Sequence, residues 1–268
     1  MHLLDRVCQA TAVLASGIAL FGCESVPILT PGARQTETTV PRAVMDAATV
    51  VACLFQRVEP GHEQGKSFWE VKSTTTGTLL PSGDYLTAAH FLRYFPDQGD
   101  SVVIGIEGKQ AIATVREYEP FNVPNGDYLV VSATFSVPSC FLADRLDAIR
   151  KKGICFDSDA AISKGQRLFV AGFVHLEKPE TEPPLFGMEL RVYEVVAKES
   201  PPSDPIFLIR NRVDAMQGMS GGPVLAYDES NSKITVVGTA SYVLKGTLFR
   251  HPLLVASRLP PSVSRKSH

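Results

Sequence analysis

The most informative features of this 268-residue sequence include several absences. Lysine and arginine form no basic cluster and the formal net charge is only −2, so the chain lacks the positive surface that nucleic-acid binding requires. The five cysteines show no Cys-x-x-Cys pair and no Cys/His spacing, so the sequence does not indicate a zinc site. No repeat of fixed period is present. These absences argue against a nucleic-acid partner and against a metal.

Long helical periods are also scarce. Only the segment "SCFLADRLDAIRKKG" has the spacing of an amphipathic helix, with Gly153 as its stop signal. Short apolar or alternating runs, rich in β-branched residues and separated by Gly, Pro, Asn and Asp, fill most of the remaining chain after residue 45. Examples are "FWEVKSTTTGTLL", "SVVIGI", "YLVVSATF", "RLFVAGFV", "ELRVYEVVA" and "ITVVGTASYVL". This pattern predicts an all-β barrel or sandwich.

The first residues differ from the rest. Arg6 precedes an uncharged, largely apolar run from Val7 to Phe21, which is too short for a comfortable membrane span but fits the core of an export signal. The run ends in "LFGC", where Leu20, Gly22 and Cys23 resemble the lipobox of bacterial lipoproteins. The resemblance implies a signal peptide over residues 1–22 and a lipid-modified Cys23. The alternative is a helix of a soluble domain with an incidental cysteine.

A lipidated Cys23 would tether the protein to a membrane. Residues 23–45 are rich in Pro and Thr without an apolar period, as expected for a flexible linker. An aspartate directly after the lipidated cysteine is often linked to retention in the inner membrane. Glu24 stands at this position here, which favours the outer membrane of the bacterial cell envelope. Export would leave Cys53, Cys140 and Cys155 in an oxidising compartment. Cys140 and Cys155 flank one polar segment and could form a disulfide, with buried free thiols as the alternative.

The stretch "QGMSGGPV" places one serine in a turn made of glycines. Acyl transfer needs such a turn, because the hydroxyl must be exposed while backbone N–H groups converge on the developing oxyanion. The motif resembles the GxSGGP signature of the trypsin-like serine peptidases, which have the chymotrypsin fold. The resemblance implies Ser220 as the nucleophile and the N–H groups of Gly218 and Ser220 as the oxyanion hole.

Two further segments match that family in the expected order. "TAAH" nominates His90 as the general base. "NGDYLVV" offers Asp127 as the carboxylate that orients the histidine, since it opens an apolar strand, and Asp100 is the runner-up. The resemblance implies a peptidase domain over residues 46–262, with two six-stranded β-barrels over about 46–135 and 160–260, and a tail over 263–268. It requires no cofactor.

The substrate pocket shows departures from the family. Asp214 aligns with the carboxylate at the base of the trypsin pocket, which implies cleavage after Arg or Lys. Ser241 and Val243 fall on the pocket wall, where Val243 replaces a glycine and would narrow the pocket toward small residues. A solvated Asp214 is the alternative. Met219 precedes the nucleophile where zymogen-activated members carry an aspartate, so activation by N-terminal trimming is not expected.

These observations favour a serine endopeptidase of the cell envelope, with a protein or peptide as substrate and a membrane contact through the lipid. The main alternative is a catalytically silent trypsin-like scaffold that acts as a binding or adaptor protein. A third hypothesis is an acyl transferase on the same triad, because the site chemistry does not restrict the acyl donor to peptides.

Overall fold

The computed structural model describes residues 40–63, 66–92, 101–119, 126–136, 140–176, 187–198, 200–201, 203–210, 218–244 and 253–264. The predicted signal peptide, Cys23 and most of the predicted tether lie outside these residues. Within them, no helix has the length and apolarity needed to cross a membrane.

The first half of the chain forms a closed β-barrel. Its strands hydrogen-bond in the order β1-β2-β3-β6-β5-β4, and the pairing of β1 with β4 closes the ring. Neighbouring strands are antiparallel throughout. The strands are β1 (Ala52–Glu63), β2 (Lys66–Leu79), β3 (Tyr85–Thr87), β4 (Ser101–Ile106), β5 (Lys109–Glu119) and β6 (Tyr128–Phe135).

The second half repeats this topology. The strands pair in the order β8-β9-β10-β13-β12-β11, and the pairing of β11 with β8 closes a second six-stranded ring. Counted from the first strand of each barrel, both rings follow the order 1-2-3-6-5-4. The predicted all-β fold of two barrels is therefore confirmed. The strands are β8 (Arg167–Leu176), β9 (Gly187–Ala197), β10 (Ile206–Arg210), β11 (Pro223–Asp228), β12 (Lys233–Leu244) and β13 (Leu253–Arg258).

Alternation along the strands fills each barrel with apolar side chains. In β5, Ala111, Ala113 and Val115 are buried at every second position, so one face of the strand points inward. The interior of the second barrel is a separate apolar cluster that includes Leu168 and Phe207. A short strand, β7 (Cys155–Phe156), joins β12 in parallel at the outside of this barrel. Neither β7 nor β13 was predicted.

Helix α1 (Arg42–Val51) was not predicted. The predicted tether runs to residue 45 and the run "TVVACLF" predicts a strand, yet the helix takes the end of the first and the start of the second. Its buried residues Val44, Ala47, Ala48 and Val51 fall at i, i+3, i+4 and i+7, which is helical spacing. The helix packs against β2 of the first barrel and β9, β11 and β12 of the second. The burial of these residues in tertiary contacts outweighs the strand preference of the β-branched residues at the end of the helix.

Helix α2 (Cys140–Lys151) confirms the predicted helix and braces the first barrel. Its Arg145 forms an ion pair with Glu107 and donates hydrogen bonds to the carbonyls of Thr49 and Ala52. Arg145 also lies 3.2 Å from the sulfur of buried Cys53. A four-residue helix, α3 (Pro261–Ser264), follows the second barrel.

The thiol chemistry of the described cysteines is settled by their surroundings. Cys155 is a free cysteine, so the disulfide between Cys140 and Cys155 considered above is not formed. Cys53 is also free and fully buried. Burial raises the pKa of the Cys53 thiol to about 12, and the nearby Arg145 guanidinium offsets only part of this effect. Cys53 is therefore a packed, protonated side chain.

Candidate active site

His90 lies in a single turn of 3-10 helix, Ala89–Phe91, directly after strand β3. Ala89 and Phe91 are buried and hold this turn against the first barrel, while the His90 side chain is 38% exposed. The predicted base is thus both anchored by its neighbours and open to solvent on one side, as a group that exchanges protons with a substrate must be.

Asp127 stands next to it at the start of β6. Its Oδ1 accepts a hydrogen bond from the backbone N–H of His90 at 2.9 Å, and its Oδ2 lies 2.5 Å from Nδ1 of the imidazole. The carboxylate is 1% exposed. The two contacts fix both the position and the ring orientation of His90. The other candidate carboxylate, Asp100, lies outside the described residues.

The electrostatics of Asp127 follow from these contacts. Burial acts to raise the pKa of the Asp127 carboxyl, but hydrogen bonds from His90 and Ser241 and the charge of His90 outweigh it, and the pKa lies below its ordinary value. Asp127 is therefore ionised near neutral pH. An ionised acceptor at Nδ1 keeps the proton on that nitrogen, so Nε2 is the basic atom of a neutral ring.

Ser220 lies in the turn between residues 218 and 222 that precedes β11. Close backbone contacts at two positions of this turn leave room only for glycine. Gly218 has φ +92° and Gly221 has φ +79°, both in the left-handed region that favours glycine. A Cβ on Gly221 would lie 2.2 Å from the carbonyl oxygen of Thr76, in the first barrel. A Cβ on Gly218 would lie 2.3 Å from the carbonyl oxygen of Phe173. The glycines thus let both barrels reach the turn.

Ser241 of β12 connects Ser220 with Asp127. The Ser220 hydroxyl donates to the Ser241 carbonyl oxygen at 2.8 Å, and the Ser241 hydroxyl donates to Oδ2 of Asp127. One residue therefore brings the serine of the second barrel into the same site as the histidine and aspartate of the first. Ser241 was expected on the pocket wall, and its contact with Asp127 was not predicted. In the sequence, Ser241 is only a serine within an apolar strand, which does not identify its partner.

Ser257 is a second serine of the other barrel whose hydroxyl contacts Asp127. It lies on β13 of the second barrel, is fully buried, and accepts a hydrogen bond from the backbone N–H of Asp127 at 2.8 Å. Asp127 is therefore held by one hydroxyl at its side chain and another at its backbone. Ser257 was not among the predicted site residues because the strand that carries it was not predicted.

The loop of Ser220 is held in turn by threonines of β2. Thr75 Oγ1 donates to the Ser220 carbonyl oxygen at 2.5 Å, Thr76 Oγ1 to that of Gly218 at 2.7 Å, and Thr78 Oγ1 to that of Gly221 at 3.1 Å. The Thr76 backbone N–H also donates to the Ser220 carbonyl oxygen at 3.0 Å. The run "STTTGT" gave no indication of this role, because threonine is an ordinary residue in a strand.

The predicted substrate pocket is only partly described. Asp214 lies outside the described residues, and so does the side chain of Val243, although Val243 belongs to strand β12. Ser241 is the one member of the predicted pocket whose side chain is described. The expected preference for Arg or Lys stays a prediction.

Comparisons with known proteins give little beyond the geometry. No protein-family model matches the chain, and no curated protein matches it. The chain is similar to a solved structure of Rv3671c from M. tuberculosis H37Rv, a serine-to-alanine mutant in an inactive form. The two are 17% identical with a TM-score of 0.45, and the alignment covers 86% of this chain and 92% of that chain. A likeness this distant assigns no activity to the chain.

Proposed function

We propose that this protein is a serine endopeptidase in which His90, Asp127 and Ser220 form the catalytic triad. The observation that carries the proposal is the bridge made by Ser241, which hydrogen-bonds to both Ser220 and Asp127 while Asp127 bonds to His90. This network links the proposed nucleophile to the carboxylate that holds the proposed base, so the three groups needed for covalent catalysis by serine belong to one site.

The roles follow from the donors and acceptors. Ser220 turns from the Ser241 carbonyl toward His90, and its oxygen attacks the carbonyl carbon of the substrate while Nε2 takes the proton. His90 returns this proton to the leaving amine as the C–N bond breaks, which gives an ester of Ser220. Water then attacks the ester, His90 takes its proton, and the acid product leaves with Ser220 protonated again. Asp127 stabilises the imidazolium in each half-reaction.

The backbone N–H groups of Gly218 and Ser220 are proposed as the oxyanion hole. Two features support this assignment: the left-handed conformation of Gly218 and the anchoring of the carbonyls of Gly218 and Ser220 by threonines of the other barrel. Donors that are fixed before the reaction need no reorganisation when charge develops on the substrate oxygen.

Anchoring in the cell envelope is a proposal that rests on the sequence alone. The "LFGC" motif at Leu20–Cys23 supports a lipid on Cys23, with the chain facing the periplasm. The test is metabolic labelling with a radioactive fatty acid and membrane fractionation of the full chain and of Cys23→Ser. Loss of both label and membrane partitioning in Cys23→Ser is expected. A variant that still fractionates with membranes would contradict the proposal.

The alternative function, a silent scaffold, is favoured by one observation. The Ser220 hydroxyl has a single proton and gives it to the Ser241 carbonyl. If this bond persisted in the presence of substrate, the serine would not be activated and the cleft would serve only for binding.

Labelling with a fluorophosphonate separates the two functions. The full-length protein should be labelled covalently, and Ser220→Ala and His90→Ala should not be, with circular dichroism used to verify that both variants are folded. Absence of label on the folded unmodified protein would reject the peptidase proposal and support the scaffold. A labelled protein that hydrolyses acyl esters but no peptides would instead support an acyl transferase.

A further inference from the structure

We infer that Thr76 is a positioning residue that holds the oxyanion loop, defined as Gly218–Gly222, in the conformation needed for catalysis. The inference rests on the proposed function and assigns a role to a residue of the first barrel that is not a member of the triad. Its basis is the set of hydrogen bonds that Thr76 makes to the second barrel.

Thr76 is fully buried and uses both its side chain and its backbone in these bonds. Its hydroxyl accepts a hydrogen bond from the backbone N–H of Phe173 at 2.8 Å and donates one to the Gly218 carbonyl oxygen at 2.7 Å. Its backbone N–H donates to the Ser220 carbonyl oxygen at 3.0 Å, and its carbonyl accepts from Thr87 Oγ1 at 2.8 Å. One residue thus joins β2, β8 and the oxyanion loop.

The two carbonyls that Thr76 binds enclose the proposed oxyanion donor. The Gly218 carbonyl belongs to the peptide unit before Met219, and the Ser220 carbonyl belongs to the unit after Ser220. The Ser220 N–H lies on the peptide unit between them, whose carbonyl accepts a hydrogen bond from the Gly222 N–H at 2.9 Å. Fixing the planar units on both sides limits the rotation of the middle unit. The direction of the Ser220 N–H therefore depends on Thr76.

The hydroxyl is the part of Thr76 that this role requires. Gly218 has a left-handed φ, and a glycine rotates between backbone conformations at little steric cost. Without the donor at Thr76 Oγ1, the Gly218 carbonyl and the Phe173 N–H would both lose a buried partner. The loop would then be free to turn toward other donors, and the preorganisation of the oxyanion hole would be lost.

Thr78 provides a matched control on the same strand. It is also fully buried, and its hydroxyl also donates to a carbonyl of the oxyanion loop, that of Gly221 at 3.1 Å. This carbonyl lies beyond the peptide unit that carries the Ser220 N–H. Thr76→Val and Thr78→Val each remove one buried hydroxyl with little change in shape, so both should lower the unfolding temperature, while the first should disturb the hole more.

The experiment measures the second-order rate of fluorophosphonate labelling, as a function of pH, for the full-length protein and for Thr76→Val, Thr76→Ser and Thr78→Val. Thr76→Val should label about 10- to 100-fold more slowly, since the phosphonyl oxygen occupies the oxyanion hole. Thr76→Ser, which keeps the hydroxyl, should stay within about threefold of the unmodified protein, and Thr78→Val should lose less of the labelling rate than Thr76→Val. The pH at half-maximal rate should not move, because His90 and Asp127 keep their contacts.

A labelling rate for Thr76→Val equal to that of Thr78→Val would overturn the inference, and so would a shift in the pH midpoint. If Thr76→Val does not fold, Thr76→Cys, which keeps the size but not the strong donor, takes its place against Thr76→Ser. If the unmodified protein does not label, the proposed function fails but the inference remains testable. Amide hydrogen exchange over residues 218–222 should then be faster in Thr76→Val than in Thr78→Val, and equal rates would overturn it.

Discussion

The two halves of the candidate site are held in opposite ways. The histidine and aspartate belong to the first barrel, and hydroxyls of the second barrel, on Ser241 and Ser257, hold the aspartate. The serine belongs to the second barrel, and hydroxyls of the first barrel, on Thr75 and Thr76, hold its loop. Each barrel therefore positions the reactive group of the other.

The difference between the halves is in what the hydroxyls bind. On the histidine side a serine donates to an ionised carboxylate, and such charge-assisted hydrogen bonds are the stronger kind. On the serine side threonines donate to neutral backbone carbonyls, whose net contribution is about 1 kcal/mol each. The first half is fixed by charge and the second by several weaker bonds together with close backbone packing. The halves should thus respond differently to substitution.

The largest effect is expected on the charged half. Asp127→Asn keeps the shape of the side chain but removes the charge that orients His90 and stabilises its imidazolium, so the labelling rate should fall about 10⁴-fold. Asp147→Asn is a suitable control, because Asp147 is on helix α2 with its side chain 51% exposed, and it should label normally. A loss of less than about tenfold in a folded Asp127→Asn would show that Asp127 does not act on His90.

The next effect concerns the packed half. Gly221→Ala would place a Cβ 2.2 Å from the Thr76 carbonyl, at φ +79°, and backbone cannot move away cheaply. Gly108→Ala is a matched control with φ +76° and no atom within 4 Å of its Cβ. Both substitutions carry the left-handed penalty of about 1–2 kcal/mol. In chemical denaturation, Gly221→Ala should lose at least about 2 kcal/mol more than Gly108→Ala. Equal losses of unfolding free energy in the two variants would mean that the Thr76 carbonyl does not restrict the side chain at position 221.

A smaller effect separates charge from packing through pH. Because the pKa of Asp127 is lowered in the folded protein, its ionisation stabilises the fold above the unfolded pKa of about 3.9, and this contribution is lost as pH falls through the folded pKa. Ser241→Ala removes one cause of the lowering. Its unfolding free energy should be lower than that of the unmodified protein by about 1–2 kcal/mol at pH 7, and the gap should narrow below pH 4. A gap that does not change with pH would assign Ser241 to packing alone.

The contrast between the halves also explains what the sequence could predict. Short β-branched runs predict the barrels because alternation is local, and "NGDYLVV" places Asp127 because a buried strand follows it. The contacts that complete the site join residues more than ninety positions apart, such as Thr76 with Phe173 and Ser241 with Asp127. A hydroxyl in a strand has the same local pattern whether it faces water or another barrel, so these partners leave no local signal.

The unpredicted elements have the same origin. Strand β13 ends in Ser257 and Arg258, which are polar but buried. Arg258 is accommodated because it donates hydrogen bonds to carbonyls of separate segments, including those of Ala160, Ser200 and Asp204. Helix α1 ends in β-branched residues that locally favour a strand, and its burial between elements of both barrels decides otherwise. In each case tertiary contacts outweigh the local preference.

The smallest expected effect is on the rate at which a buried cysteine is modified, which tests whether the packing between the two barrels is kept. Cys53 is the second residue of β1, is fully buried and has a pKa raised to about 12, whereas Cys155 is partly exposed at the outer strand β7. Iodoacetamide at pH 8, followed by peptide mass spectrometry, should modify Cys155 and leave Cys53 intact in the folded protein, because the thiolate is the reacting form. Cys53 should stay protected in Asp127→Asn, whose packing is unchanged, and become modified faster in Gly221→Ala. Equal protection of Cys53 in both variants would show that strain at the turn is absorbed locally and does not reach α1.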